Sequence, residues 1–251
     1  MVHFIGAGCG AADLITVRGA RLLGEADVII YAGSLVNPAL LAYAKPGCEV
    51  HDSASMTLEE VLAVIEAAEA AGKTTARLHT GDPSLYGAVR EQFDALDARG
   101  IAYDVCPGVS AFSGAAAALR CEYTLPEVCQ TLVITRAAGR TPVPERESLR
   151  ALAAHRAAMA LYLSAGLARE AQAALIEGGY PPETPAAAVY KATWPEERVV
   201  RCTLGALPDA MAALGIDRTA LILVGDFLGA CEHRSKLYDP GFETGYRKAK
   251  P

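Results

Sequence analysis

Several signals of common protein classes are missing from this sequence. Its seven cysteines include no pair with the C-x-x-C spacing of a zinc or redox motif. The formal net charge is −6, so the basic excess typical of nucleic-acid binders is also missing. The longest charge-free stretch spans 17 residues, 28–44, whereas a membrane helix needs about 20 apolar residues. The N-terminus has no basic start followed by a long apolar run, as a signal peptide would. We therefore expect a cytoplasmic protein with free thiols and with no nucleic-acid or membrane partner.

Familiar catalytic motifs are missing as well. The sequence contains no G-x-S-x-G and no H-E-x-x-H, and its five histidines lie far apart. His3 and His79 fall in predicted strands, where we favour histidines whose hydrogen bonds are satisfied within the sheet. Nothing in the sequence calls for a metal, and no catalytic residue can be named from it. With 52% hydrophobic and 21% charged residues, the chain is nevertheless a well-folded globular protein rather than a disordered one.

The sequence does show a regular alternation of short apolar strands and amphipathic helices. This alternation is typical of a parallel α/β sheet. It pauses at residues 121–130 and then resumes, with two later strands joined by a short turn that favours antiparallel pairing. We predict two α/β domains, residues 1–122 and 123–251. The predicted strands are 2–6, 27–33, 74–81, 101–108, 131–136, 157–165, 186–192, 197–203 and 219–225, and the predicted helices include 84–99 and 145–155. Thr57 and Glu60 have the spacing of a capping box at the start of a further helix, which Gly72 ends.

Three of the predicted strands end in turns rich in small residues, at 6–11, 79–87 and 106–111. Glycine at such a turn lets a ligand approach the backbone, and the following helix N-terminus favours negative charge. Ligands of open α/β sheets bind at the carboxyl ends of the strands. Each turn taken alone is also compatible with a simple strand-to-helix connection, in which Asp82 only caps a helix. Their repetition favours one extended ligand site.

The first turn, Gly6-Ala7-Gly8-Cys9-Gly10-Ala11, also fits the G-x-G-x-x-G/A pattern of dinucleotide-binding folds. Such folds carry an acidic residue at the end of the second strand to bind the ribose. Here that strand ends in Tyr31-Ala32-Gly33-Ser34. The pattern therefore argues against a nicotinamide-dependent oxidoreductase.

A fourth stretch, residues 135–142, places Arg136 and Arg140 on either side of a glycine turn. Arginine binds carboxylates in a bidentate geometry, so this stretch is a candidate site for an anionic substrate. A solvated surface loop is an equally good interpretation of the same residues.

Taken together, these motifs resemble the tetrapyrrole methylase family of S-adenosylmethionine-dependent enzymes, over nearly the whole chain. The stretches that carry the resemblance are FIGAGCGAADLIT, HTGDPSLYG and CPGVSAFSGAAA. Three others, YAGSLVNPALL, HDSASMTLEE and LPEVCQTLVITRAAGRTPVPE, resemble the branch of the family that acts on precorrin-4. The resemblance implies two α/β domains with a cleft between them, in a homodimer. It also implies cofactor contacts at Cys9, Thr80, Gly81, Asp82, Leu85, Ser110, Ala111, Leu163 and Ala192.

The implied reaction is methyl transfer from S-adenosylmethionine to ring carbon 11 of precorrin-4, a step of corrin biosynthesis. Such chemistry depends on positioning and on exclusion of water more than on acid–base residues. Precorrin-4 carries many carboxylates, and Arg120, Arg136 and Arg140 are the candidates to bind them. Two alternatives remain open: a sister methylase that acts on another tetrapyrrole carbon, and a tetrapyrrole carrier without catalytic activity.

Overall fold

The computed structural model describes residues 1–230 and 235–249, which divide into two compact units. Unit 1 comprises residues 1–114 together with 192–195, and unit 2 comprises residues 115–191 and 196–251. Each unit contains one five-stranded sheet. The short segment 192–195 thus belongs to the first unit although unit 2 surrounds it in sequence. The domain boundary expected at 122/123 stays a prediction.

The sheet of unit 1 is entirely parallel, in the order β3-β2-β4-β1-β5. Both of its faces are covered by apolar clusters, which explains why the central strands are nearly continuous apolar runs. The parallel α/β architecture expected from the sequence is confirmed here. The strands are β1 (Val2–Gly6), β2 (Val28–Tyr31), β3 (Glu49–Asp52), β4 (Thr75–His79) and β5 (Tyr103–Cys106).

Four α-helices connect or follow these strands. The helix at 58–70 begins with the capping box expected from the sequence, since the Thr57 side chain accepts from Glu60 N and the Glu60 carboxylate accepts from Thr57 N. The fourth helix begins in unit 1 and runs past the division at residue 114. The helices are α1 (Val17–Glu25), α2 (Leu58–Ala70), α3 (Arg90–Arg99) and α4 (Ala111–Leu119).

The sheet of unit 2 is mixed, in the order β6-β7-β10-β8-β9. Only the first two strands are parallel, and the predicted hairpin-like unit is confirmed as an antiparallel pair. Helices pack their apolar residues against one cluster built on this sheet. The elements are β6 (Leu132–Arg136), α5 (Leu149–Ala153), β7 (Ala158–Tyr162), α6 (Ala168–Glu177), β8 (Pro185–Tyr190), β9 (Arg198–Thr203), α7 (Leu207–Ala213) and β10 (Ala220–Val224).

Two expectations about single elements are wrong, and one strand was not predicted. The helix predicted for 84–99 begins only at Arg90, because Tyr86 and Ala88 have positive φ values of 55° and 47° that no α-helix tolerates. The helix predicted for 145–155 is a 3-10 turn followed by the short α5, which is capped by Ser148. Strand β3 was not predicted, because an edge strand of four residues, EVHD, lacks a hydrophobic pattern.

None of the helices in residues 1–230 and 235–249 has the length and apolar character needed to cross a membrane.

Candidate functional site

Three adjacent strands of unit 1 end in the three turns singled out by sequence. Strand β1 lies between β4 and β5 in the sheet, and all three run in the same direction. Their carboxyl ends therefore share one edge, where the turns at 6–11, 80–87 and 107–110 follow directly. This is the edge at which open parallel sheets bind ligands.

The three turns pack backbone against backbone. A Cβ atom added to Gly6 would lie 2.5 Å from Gly108 Cα and 2.8 Å from the Gly81 carbonyl oxygen. A Cβ on Gly108 would press into the same Gly81 oxygen. In addition, Gly81 N donates to Gly8 O at 2.8 Å, and Gly8 N donates to Gly81 O at 3.2 Å. Glycine is therefore required sterically, and the edge of the site is formed by main-chain atoms.

Asp82 connects the second turn to the third. Its Oδ2 accepts a hydrogen bond from Gly108 N at 2.7 Å, and its Oδ1 accepts from Ser84 N at 2.9 Å and from the Ser84 hydroxyl. Burial raises the pKa of Asp82, but these hydrogen bonds from Ser84 and Gly108 outweigh it and hold the pKa below its usual range. The side chain is consequently an ionised anchor at neutral pH.

The segment 192–195 packs against the first turn. Thr193 Oγ1 accepts a hydrogen bond from Ala11 N at 2.9 Å and lies 3.7 Å from Cys9 Sγ. A Cβ on Gly10 would lie 2.5 Å from Ala192 O, and one on Gly114 would lie 2.6 Å from Cys9 Sγ. Thus Cys9 and Ala192 lie side by side at the turn, and Thr193 holds the turn's backbone in place.

His79, the last residue of β4, differs from the sequence expectation. Its Nε2 is buried without a hydrogen-bond partner, so it is not a fully satisfied sheet histidine. Burial, and then the nearby charge of Arg77, lower the pKa of His79 to about 3, although a backbone hydrogen bond with Gly87 opposes the shift. The ring is therefore neutral at physiological pH. His3 does match the expectation, since its Nδ1 lies 2.7 Å from Asp104 Oδ1.

In unit 2, the parallel strands β6 and β7 also end side by side, with Arg136 opposite Tyr162. The Arg136 guanidinium donates to the carbonyl oxygens of Ala137, Thr141 and Pro142 at 3.2, 3.1 and 2.7 Å. It therefore closes the loop at 137–142 on itself, and Arg140 lies exposed on that loop.

The neighbouring turn at 163–164 is held by a buried serine. Ser164 Oγ accepts from Ala137 N at 2.8 Å and donates to Tyr162 O at 2.7 Å. Leu163, just before it, has a positive φ of 53° and is 70% exposed. A leucine with this backbone conformation and this exposure is unusual, and such strain tends to occur at functional sites.

Comparisons with known proteins agree with this architecture. The family model for tetrapyrrole (corrin/porphyrin) methylases matches residues 1–208. A cobalt-precorrin-4 C(11)-methyltransferase of Methanocaldococcus jannaschii is 50% identical over 99% of this chain and 96% of its own length. A precorrin-4 C(11)-methyltransferase of Sinorhizobium is 48% identical over 98% of both chains.

The chain belongs to the tetrapyrrole methylases.

Two solved structures of similar proteins extend the comparison. The X-ray structure of a cobalt precorrin-4 methyltransferase, a cobalamin biosynthetic enzyme, superimposes with a TM-score of 0.89 at 46% identity, over 91% of this chain and 96% of that one. A uroporphyrin-III C-methyl transferase of Thermus thermophilus, solved with S-adenyl homocysteine, has a TM-score of 0.76 at 25% identity and covers 90% of this chain and 98% of that one. This protein therefore has the tetrapyrrole methylase fold.

In this tetrapyrrole methylase, most of the predicted cofactor residues belong to one unit. Leu163 is the exception, since it belongs to unit 2 together with the three predicted substrate arginines. Arg120 and Arg140 are exposed, and Arg120 has a positive φ of 50°. The predicted cofactor residues of unit 1 are Cys9, Thr80, Gly81, Asp82, Leu85, Ser110, Ala111 and Ala192.

Sequence reasoning missed two residues that shape the first turn of this methylase. Thr193 contacts it from 182 residues away in sequence, and Asn37 Nδ2 donates to Gly10 O at 2.9 Å. Asn37 lies within YAGSLVNPALL, a stretch that carries the family resemblance, but the resemblance assigns it no role, and Thr193 lies in none of those stretches. The only local signal was the sequence Asn37-Pro38, which predicts the start of a helical turn.

Proposed function

We propose that this protein methylates ring carbon 11 of precorrin-4, with S-adenosylmethionine as the methyl donor. The observation that supports this most strongly is the near-full-length identity of 48–50% to two enzymes that carry this activity in their names. The three main-chain turns of unit 1 support a cofactor site at the carboxyl ends of β4, β1 and β5, which these turns follow.

The residues of unit 1 fit S-adenosylmethionine on physical grounds. The cofactor supplies an electrophilic methyl group on a sulfonium sulfur. The turns offer main-chain groups that no Cβ atom screens, because Gly6, Gly81 and Gly108 meet there. The ionised Asp82 fixes the second and third turns relative to each other. The proposed contacts are Cys9, Thr80, Gly81, Asp82, Leu85, Ser110, Ala111 and Ala192 of unit 1 and Leu163 of unit 2.

The remaining work of the protein is to hold the acceptor carbon in reach of the methyl group and to exclude water. Near-attack geometries place reacting atoms about 3–3.5 Å apart, and small displacements lower the rate strongly. No base is assigned for the proton that the acceptor releases. The carboxylates of precorrin-4 are proposed to bind Arg120, Arg136 and Arg140. Of these, Arg136 also acts through the loop that it closes.

An alanine substitution tests the role of Arg136. In Arg136→Ala, we expect the KM for the tetrapyrrole to rise while the Kd for S-adenosylhomocysteine stays unchanged. An unchanged tetrapyrrole affinity would remove Arg136 from the acceptor site.

The decisive experiment uses S-adenosylmethionine with a carbon-13 methyl group. The purified protein is incubated with enzymatically generated precorrin-4, with and without cobalt, and carbon-13 NMR locates the new methyl group. A methyl group at carbon 11 is the expected result. The form of precorrin-4, with or without cobalt, that is methylated faster identifies the natural substrate. This matters because the two relatives differ in whether cobalt appears in their names. A methyl group elsewhere would indicate a sister activity, and bound pigment without transfer would indicate a carrier.

Two further properties are proposed with this function. We expect a homodimer, so sedimentation equilibrium should give about twice the chain mass of 26.2 kDa. We also expect a cytoplasmic location, which fractionation of the source cells tests. A monomer at micromolar concentration would contradict the first expectation.

A further inference from the structure

Arg77, in the middle of β4, is a buried cation without a counter-charge. It is 9% exposed. In the described part of the chain, no carboxylate lies within ion-pair distance of its guanidinium. Thirteen ion pairs occur there, and Arg77 takes part in none of them. Burial lowers the pKa of Arg77 to about 10, which still leaves it charged at neutral pH. A buried charge without a partner lowers the free energy of unfolding. A contribution to stability is therefore a poor explanation for the presence of an arginine at position 77.

The nearest titratable side chain on the same strand, His79, offers no compensation. Burial holds the pKa of its ring far below neutral pH, so it is uncharged, and it has no negative form in this range. All of the hydrogen bonds that the guanidinium makes go to neutral acceptors. Its Nη1 donates to Ser53 Oγ at 3.1 Å, Ile30 O at 3.4 Å and Leu78 O at 3.5 Å, and its Nε donates to Gln92 Oε1 at 3.3 Å.

Two of these acceptors, the side chains of Ser53 and Gln92, are themselves hydrogen-bonded to segments at the carboxyl edge of the sheet. On one side, Ser53 Oγ donates to Tyr31 O at 3.2 Å, so the end of β2 and the 3-10 turn after β3 are joined. On the other side, Gln92 Nε2 donates to Ala88 O at 2.8 Å, in the segment that precedes α3. One continuous chain of hydrogen bonds thus runs from Tyr31 to Ala88 through Arg77.

The segment reached through Gln92 is the one that carries Asp82 and Leu85. It has little regular structure of its own, since Tyr86 and Ala88 have left-handed backbone conformations. Such a segment keeps its shape only when its surroundings determine it. Asp82 fixes its beginning, and Arg77 holds its end at the Ala88 carbonyl through Gln92. The backbone of Gly87, next to Ala88, is also hydrogen-bonded to His79.

We propose that Arg77 is a positioning residue, which holds the 82–89 segment, the end of β2 and the 53–55 turn in the arrangement that binds the cofactor. The proposal rests on the proposed function, because that function assigns Asp82 and Leu85 to S-adenosylmethionine. Arg77 itself touches neither cofactor nor acceptor. It acts through Gln92 and Ser53.

The test compares four variants of the full chain. Arg77→Met removes the guanidinium and keeps the apolar length, and Arg77→Lys keeps the charge without the fork of donors. Gln92→Leu removes the link to Ala88 O together with the acceptor of Arg77 Nε, and it leaves the guanidinium in place. Arg21→Met is the matched control, because that arginine is 61% exposed and pairs with Glu25 on α1. Each variant is measured by thermal unfolding, by hydrogen exchange of the 84–89 amides, and by calorimetry with S-adenosylhomocysteine.

We expect Arg77→Met to keep or raise the parent's Tm, because a buried uncompensated charge has been removed. Its 84–89 amides should exchange at least tenfold faster, and its Kd for S-adenosylhomocysteine should rise at least tenfold. Arg77→Lys should lie between Arg77→Met and the parent, Gln92→Leu should weaken binding in the same direction, and Arg21→Met should match the parent. The exchange measurement needs no cofactor, so it judges the positioning role even if the protein proves to methylate another acceptor.

Two outcomes overturn the proposal. One is a Kd and an exchange rate within twofold of the parent in both Arg77→Met and Gln92→Leu. The other is a loss of binding that follows a fall in Tm in every variant, which is the result of a merely structural role. If Arg77→Met does not fold, Gln92→Leu decides alone, since it leaves the charge and its other hydrogen bonds in place.

Discussion

Replacing Asp82 by asparagine removes one charge and one acceptor from the point where two turns of the site meet. The carboxylate accepts from Gly108 N at 2.7 Å and from Ser84 N at 2.9 Å. An asparagine has a single oxygen, so its amide nitrogen must face one of these two N–H donors. A hydrogen bond to a charged group contributes about 1.5–3 kcal/mol, and an orphaned buried donor costs about as much. We therefore expect Asp82→Asn to lose about 2 kcal/mol of the free energy of unfolding.

This loss is large enough to measure. For chains of 150–250 residues, 1 kcal/mol shifts Tm by about 2–4 °C, so the variant should melt about 4–8 °C lower. If the same free energy is lost from cofactor binding, the Kd for S-adenosylhomocysteine should rise about 30-fold, since a tenfold change corresponds to about 1.4 kcal/mol. Calorimetry and thermal unfolding at pH 7 give both values. The control is Asp94→Asn, whose carboxylate pairs with Arg90 in solvent and contributes little.

The pH dependence of the Tm provides an independent check that the ionised Asp82 carboxylate stabilises the fold. Because the folded pKa of Asp82 is depressed, its stabilising effect is present above the unfolded pKa of about 4 and is lost as the pH falls through the folded value. The difference in Tm between parent and Asp82→Asn should therefore be constant near neutral pH and shrink below about pH 4. A Tm within 1 °C of the parent and a Kd within twofold at pH 7 would refute the anchoring role.

Three further substitutions test other parts of the chain. Gly108→Ala places a methyl group against the Gly81 carbonyl oxygen, so we expect about 1–3 kcal/mol less stability and more than tenfold weaker S-adenosylhomocysteine binding, by thermal unfolding and calorimetry. Thr57→Ala removes a helix cap far from these turns in sequence and should lose about 1 kcal/mol without affecting that binding. Ser164→Ala leaves Ala137 N without its acceptor in unit 2 and should lose about 1–3 kcal/mol in urea unfolding. If Thr57→Ala and Gly108→Ala changed the affinity for S-adenosylhomocysteine equally, the proposal that the cofactor binds at the turns and not near Thr57 would be contradicted.

The features predicted correctly from sequence are those determined by neighbouring residues. The parallel direction of the strands in the first sheet follows from the alternation of apolar strands and helices. The cap at Thr57 follows from the spacing of two residues three positions apart. The three small-residue turns were found because glycine and proline have strong local preferences. Each strand, helix cap and turn in this set is determined by residues that are close together in the chain.

The features that were missed depend on distant parts of the chain. Thr193 reaches Ala11 only because segment 192–195 returns to unit 1, and its own sequence, Ala-Thr-Trp-Pro, carries no pattern that indicates this. The left-handed conformations of Tyr86 and Ala88 interrupt a predicted helix, although neither residue type favours such a conformation. The buried Arg77 was hidden because a single arginine in an apolar strand does not reveal what it contacts.

The construction of the site from main-chain atoms bears on how tetrapyrrole methylases differ in their acceptors. The Thermus thermophilus uroporphyrin-III enzyme shares only 25% identity with this chain but has a TM-score of 0.76. The proposed cofactor site requires the backbone and a few glycines rather than many particular side chains, so a site of this kind can persist at that level of identity. Discrimination between acceptors must then come from side chains. In this protein the candidates are the arginines of unit 2, where Arg136 donates to carbonyl oxygens of the 137–142 loop and Arg140 is exposed on that loop. A change of acceptor is therefore expected to follow from exchange of that loop, while the affinity for S-adenosylhomocysteine stays as it is.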